Sequence, residues 1–173
     1  MFNDIHKGWF RFAVLIVPLA LSPALMAGSL HGLQAIKLLS PQVGFAANSD
    51  DLFWTTDAGN TWERKTPPTK DREAIEDVYF LNASVGWVLL ARGDENDLVQ
   101  FDLASTADAG KTWHLSHVEI LDGLADDFLG HGSIYFVDSV HGWLDLVINS
   151  SSAFRPGRML YTEDGVRHRN FLY

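Results

Sequence analysis

The sequence predicts an all-β fold of four-stranded antiparallel blades, about three of them, and three observations carry the prediction. An octet, Thr55-Thr56-Asp57-Ala58-Gly59-Asn60-Thr61-Trp62, recurs as Thr106-Ala107-Asp108-Ala109-Gly110-Lys111-Thr112-Trp113 and, worn, from Thr162. A second element precedes each octet: an apolar strand, a polar turn, then Gly-Trp or Gly-Phe and another apolar run. The two elements keep a common register. Gly86 and Gly142 are 56 residues apart, as are Thr106 and Thr162, and each of these glycines stands 20 residues before its octet.

The first 29 residues read as an export signal. Lys7 and Arg11 give a positive start, and Phe12 to Leu21 is almost wholly apolar. Pro18 and Pro23 would break a long helix, and Ala27-Gly28-Ser29 supplies the small residues of a cleavage site. The apolar run is short for a membrane span, so cleavage is expected ahead of an uncleaved anchor. The expected location is periplasmic or secreted, with a membrane-anchored form facing the periplasm as the alternative. The 173 residues contain no cysteine, which excludes disulfides, and carry a net charge of −9. Losing Asp4, Lys7 and Arg11 with the signal leaves −10. This acidic balance argues against nucleic acid as a partner.

Residues 30–173 form the repeat domain, with blades expected near 34–66, 74–119 and 132–173. The first blade opens at Ile36 to Ala47, with Phe45 in the Trp place, and makes a tight hairpin at Asn48-Ser49-Asp50-Asp51. Leu52, Phe53 and Trp54 suit the strand that enters the octet. Within the octet, Asp57 can accept turn N–H groups and Gly59 tolerates φ > 0. Thr61 returns to β geometry, and Trp62 covers the hairpin. Thr66-Pro67-Pro68-Thr69-Lys70 is an inter-blade linker. The second blade places strands near 75–81, 85–92, 98–106 and 112–119, followed by the link Leu121 to Gly132. The third blade runs from Ser133 through Gly142-Trp143 to its octet. That octet keeps Thr162 and Asp164 but has Val166, His168 and Arg169 where Gly, Thr and Trp belong. Four strands recurring every 40–56 residues or so is propeller-blade spacing. A closed propeller has about four to eight blades, so three imply a partial propeller. The shortfall fits a shortened gene product, a remnant without independent function, or a ring completed by another copy of the chain.

The octet resembles the Asp-box, or BNR, repeat S/T-x-D-x-G-x-T-W. Its alternation with F-x-D/N-x-x-x-G-W over roughly residues 34–173 resembles the photosystem II stability and assembly factor family. That resemblance implies a β-propeller that binds an assembly intermediate without catalysis. Asp-boxes also mark sialidases, which are glycoside hydrolases. That more distant resemblance implies an arginine triad, a Tyr/Glu nucleophile pair and an Asp acid/base. Phe154-Arg155-Pro156 is a poor match to the F/Y-R-I-P context of such enzymes.

The residues singled out are therefore structural: Thr55, Asp57, Gly59, Thr61 and Trp62; Thr106, Asp108, Gly110, Thr112 and Trp113; Thr162 and Asp164. One carboxylate per turn is too few for a calcium cage. The acidic loops with Asp94, Glu95 and Asp97, and with Asp126 and Asp127, read as solvated. His114 and His117 fall on opposite faces of one strand and should not share a metal. No catalytic residue, cofactor or metal is expected. Trp87 and Trp143 recur at equivalent places and are expected in the core. Trp54, whose register partner is Ser105, is the one candidate for a ligand-facing aromatic. The expected function is non-catalytic binding or scaffolding towards a protein or a glycan.

Overall fold

Short β-prone runs separated by turn residues pair with their sequence neighbours, and the result is three antiparallel meanders. The computed structural model describes residues 32–93, 99–118, 129–148, 157–165 and 169–170. The first sheet joins β1 (Ala35–Leu38), β2 (Gly44–Ala47), β3 (Leu52–Thr55) and β4 (Glu63–Arg64) in that order. The second joins β5 (Glu73–Phe80), β6 (Gly86–Gly93), β7 (Val99–Thr106) and β8 (His114–His117). The third joins β9 (Leu129–Phe136), β10 (Gly142–Ile148), β11 (Gly157–Thr162) and β12 (Arg169–Asn170). The expected export segment 1–29, both acidic loops, Phe154-Arg155-Pro156, Val166 and His168 lie outside the described residues.

The Gly-Trp element has a steric cause. Phe80 pairs across the strands with Gly86, and Phe136 with Gly142. Each ring lies over its glycine: a Cβ on Gly86 would come 2.3 Å from Phe80 Cδ1, and one on Gly142 2.4 Å from Phe136 Cδ1. Two residues past the end of the first strand, a short polar side chain caps the chain. Asn82 Oδ1 accepts from the N–H groups of Ser84 and Val85, Asp138 Oδ1 from those of Val140 and His141, and Ser40 Oγ from those of Gln42 and Val43. These are local side-chain turns of the kind that Asn, Asp and Ser favour.

The cores lie between sheets. Phe45, Leu52 and Trp54 of the first blade bury against Ile75, Phe80 and Leu90 of the second. Trp87, Phe101 and Leu103 of the second bury against Ile134, Phe136 and Leu160 of the third. An aromatic ring of each later blade is thus keyed into the one before. Phe80 meets Phe45 at 5.3 Å and Trp54 at 4.8 Å between centroids, and Phe136 stacks on Trp87 at 3.7 Å and 2°. Blade-to-blade contact also needs Gly132, where a Cβ would come 2.6 Å from Leu89 Cδ2.

The inner strands of the second and third blades, β5 and β9, each have an unpaired edge, and the preceding blade covers it. A bulge at Glu76, between Ile75 and Asp77, breaks the alternation of β5. Two adjacent carboxylates can then face β9. Glu76 Oε1 accepts from Gly132 N at 3.2 Å, and Asp77 Oδ2 from Ile134 N at 2.8 Å. On the other side, Ile75 N donates to Ser49 O at 2.7 Å. Satisfying edge N–H groups in this way prevents unwanted strand addition.

Candidate binding site

The octet carboxylates are the polar groups that look most like a site. In the first, the Thr55 hydroxyl donates to Asp57 Oδ1 and accepts from the N–H groups of Asp57 and Gly59. Asp57 Oδ1 also accepts from Thr61 N at 2.8 Å, and Oδ2 from the Thr61 hydroxyl at 2.6 Å. The second octet repeats every bond with Thr106, Asp108, Gly110 and Thr112. In the third, the Thr162 hydroxyl donates to Asp164 Oδ1 at 3.0 Å and accepts from Asp164 N.

The fourth octet residue takes a left-handed conformation, with φ of 60° at Ala58, 61° at Ala109 and 74° at Gly165. Its N–H is tied to the turn before the Gly-Trp strand, at Gln42, Ser84 and Val140 respectively. The third copy therefore places glycine at the strained position that alanine fills in the other two. The octet tryptophans fold over their turns: Trp62 lies near Gly59 and Trp113 near Gly110. Trp113 Nε1 further donates to Lys65 O, reaching back to the preceding blade.

These bonds set the acidity of the carboxyls. The Thr112 hydroxyl, and then the Thr112 N–H, hold Asp108 down at about 2. The Thr61 hydroxyl and N–H lower Asp57 likewise. A carboxyl that titrates lower in the folded chain than in the unfolded one stabilises the fold above its ordinary value, and that contribution is lost on acidification. Stability should fall as pH drops from 3.8 towards about 2, and carboxyl NMR titration should find Asp108 still ionised at pH 3. Such strongly acidic, fully engaged carboxylates are poor general acids near neutral pH.

Other charged groups are also engaged. Asp102 is buried on β7 and meets Lys70 and His117, with His117 Nδ1 at 2.8 Å. Burial raises its pKa, but the hydrogen bonds from Lys70 and His117 outweigh this and hold it below the ordinary value. His131 meets Glu76, and His141 meets Asp138. Arg64 on β4 bonds Asp51, and Arg92 on β6 bonds Gln100. Those two arginines lie on different blades, each paired within its own blade. Among the described residues, no group of three His, Asp or Glu side chains is set to hold a metal.

Trp54, the candidate for a ligand-facing aromatic, is turned towards the second blade. It is 4% exposed and packs on Phe80, because its strand face is the one that the second blade covers. Trp87 is buried, whereas Trp143 is half-buried in a row with Tyr135 and Tyr161, on a face that no further blade covers among the described residues.

Two features remain open. One is the pair of outer faces. On the first blade Ile36 and Leu38 are exposed, and on the third Tyr135, Val137 and Met159 are exposed. The other is a cleft of about 370 Å³ between the second and third blades, beside their octets. Trp87, Ser105, Trp113 and His114 line one side, and Ser139, Asp164 and Gly165 the other. No motif of the sequence marks this cleft directly. Its signal is Ser105 at a position filled by Trp54 and Tyr161 in the other copies.

Among solved structures the chain is similar to YCF48 bound to a D1 peptide, with a TM-score of 0.50 and 17% identity. The fold is β-propeller-type. The match covers 80% of this chain and 39% of that one, so the chain spans well under half the length of its structural neighbour. At this identity the likeness speaks for the fold. No protein-family model and no curated protein matches the chain.

Proposed function

We propose that the chain is an exported, non-catalytic Asp-box module that binds or scaffolds a protein partner. The observation that carries this reading is the exposure of a broad apolar face at each end of the blade series. Leu38 is 62% exposed at one end, and Tyr135 is 55% exposed at the other. Exposed apolar patches of this kind mark interaction surfaces. The octet bonds support the Asp-box reading, since each octet aspartate serves its own turn. YCF48, which shares the fold, was captured with a D1 peptide, and engagement of a protein segment is the role proposed here.

Internal packing favours a second copy as one such partner. Phe80 and Phe136 key into the preceding blade, and Leu38 is the same residue of the first blade. Trp143 stands where Trp87 receives Phe136. A head-to-tail contact would set Leu38 of one copy against Trp143 of another, and two such contacts would close a ring. Light scattering over a concentration series should show a dimer, and Tyr135→Lys should leave a folded monomer. A monomer at every concentration, or a dimer indifferent to Tyr135→Lys, would contradict the assembly.

A further inference from the structure

The position just before each octet is Trp54 in the first blade, Ser105 in the second and Tyr161 in the third. Register makes the three equivalent. Trp54 pairs with Phe45, Ser105 with Trp87 and Tyr161 with Trp143. Between the first two blades, Trp54 fills the space beside Phe80 and is buried. Between the second and third, Ser105 supplies no ring, and the 370 Å³ cleft lies there. The cleft is thus the place of a missing aromatic side chain, in an interface built to hold one.

Its walls suit that occupant. The buried Trp87 indole, fixed by its stack on Phe136 and by donation from Nε1 to Gly165 O at 3.1 Å, forms the floor, and the half-buried Trp113 ring, held by donation from Nε1 to Lys65 O, gives the apolar wall. The hydroxyls of Ser105 and Ser139 and the exposed His114 ring surround it with hydrogen-bonding groups. A rigid aromatic wall with a polar rim accommodates a ring that carries its own N–H or O–H.

We propose that this cleft receives a tryptophan or tyrosine side chain presented by a protein partner. The inference rests on the protein-binding reading above, but it concerns a different surface from the two outer faces. The partner supplies in trans the ring that Trp54 supplies in cis between the first two blades.

The probe is N-acetyl-tryptophanamide, added to the full chain and followed by two-dimensional NMR. A single-residue fragment should bind in the millimolar range. It should shift the Trp87 indole N–H and the amides of Ser105, His114 and Gly165, and leave those of the outer faces unmoved. Ser105→Trp should fill the cleft and abolish these shifts in a folded protein. Ser105→Tyr, which installs the ring type of the third blade, should do the same if the larger side chain disturbs folding. Absence of shifts at the cleft, or equal shifts in a folded Ser105→Trp or Ser105→Tyr variant, would overturn the proposal. Shifts caused by methyl glycosides and not by the tryptophan amide would overturn it in favour of a sugar site. Light scattering remains a separate readout, so loss of the assembly reading alone would leave the cleft result standing.

Discussion

Phe136→Ala is expected to destabilise the fold by about 3–5 kcal/mol, the cost of removing a buried aromatic ring and leaving its cavity. Phe136 is 0% exposed and is stacked on the Trp87 indole at 3.7 Å. It also covers Gly142, so its loss opens the third blade's own hairpin as well as the contact with the second blade. Urea unfolding followed by circular dichroism measures the change. Leu38→Ala, measured at a concentration where light scattering finds only the monomer, is the internal control. It removes a side chain at the equivalent position of the first blade, where it is exposed, and should cost less than about 0.5 kcal/mol. Equal losses at the two positions would show that the second and third blades are not keyed together as described.

Gly86→Ala is the second large effect, expected at about 1–3 kcal/mol for forcing a methyl group into a filled space. The added Cβ would fall 2.3 Å from Phe80 Cδ1, and two further ring atoms lie within 2.6 Å. The ring cannot move freely, because Phe45 and Trp54 hold its far side. The strain should therefore couple to Phe80. In the Phe80→Leu background, Gly86→Ala should cost less than it does alone, a non-additivity expected of residues in contact. Denaturant midpoints of the two single variants and the double variant measure it. Full additivity would mean that glycine is not there to seat the ring.

The fold was legible because its signals repeat. The octet fixes a hairpin between the third and fourth strands, and the Phe–Gly pair fixes one between the first and second. Their constant spacing gives the four-stranded meander without any knowledge of partners. The bond pattern around Asp57 and Asp108 is local, within five residues, and could be anticipated from the turn chemistry of Thr, Asp and Gly.

What was not legible depends on which blade lies against which face. Trp54 stands out in the sequence because no other copy has tryptophan there, and such an exception suggests ligand contact. Burial by the second blade is a property of the neighbour, and the strand containing Trp54 does not encode it. The informative exception is the opposite one: Ser105 is the residue that lacks a ring. The paired carboxylates Glu76 and Asp77 were hidden for a similar reason, since strict alternation would send them to opposite faces and only the bulge lets both cap β9. The octet glycine of the third copy looked lost, yet Gly165 stands one place earlier, where the backbone is left-handed in all three copies.

The second and third blades are each locked to the one before by an aromatic ring, Phe80 and Phe136 respectively. Nuclear Overhauser contacts in a sample with selectively labelled phenylalanine and tryptophan test this locking most directly. Contacts are expected from Phe136 to the Trp87 indole and from Phe80 to the Trp54 indole, with none from Trp54 to solvent-exposed residues of the first blade's outer face. Absence of the Phe136–Trp87 contact, or a Trp54 indole free of Phe80, would contradict it.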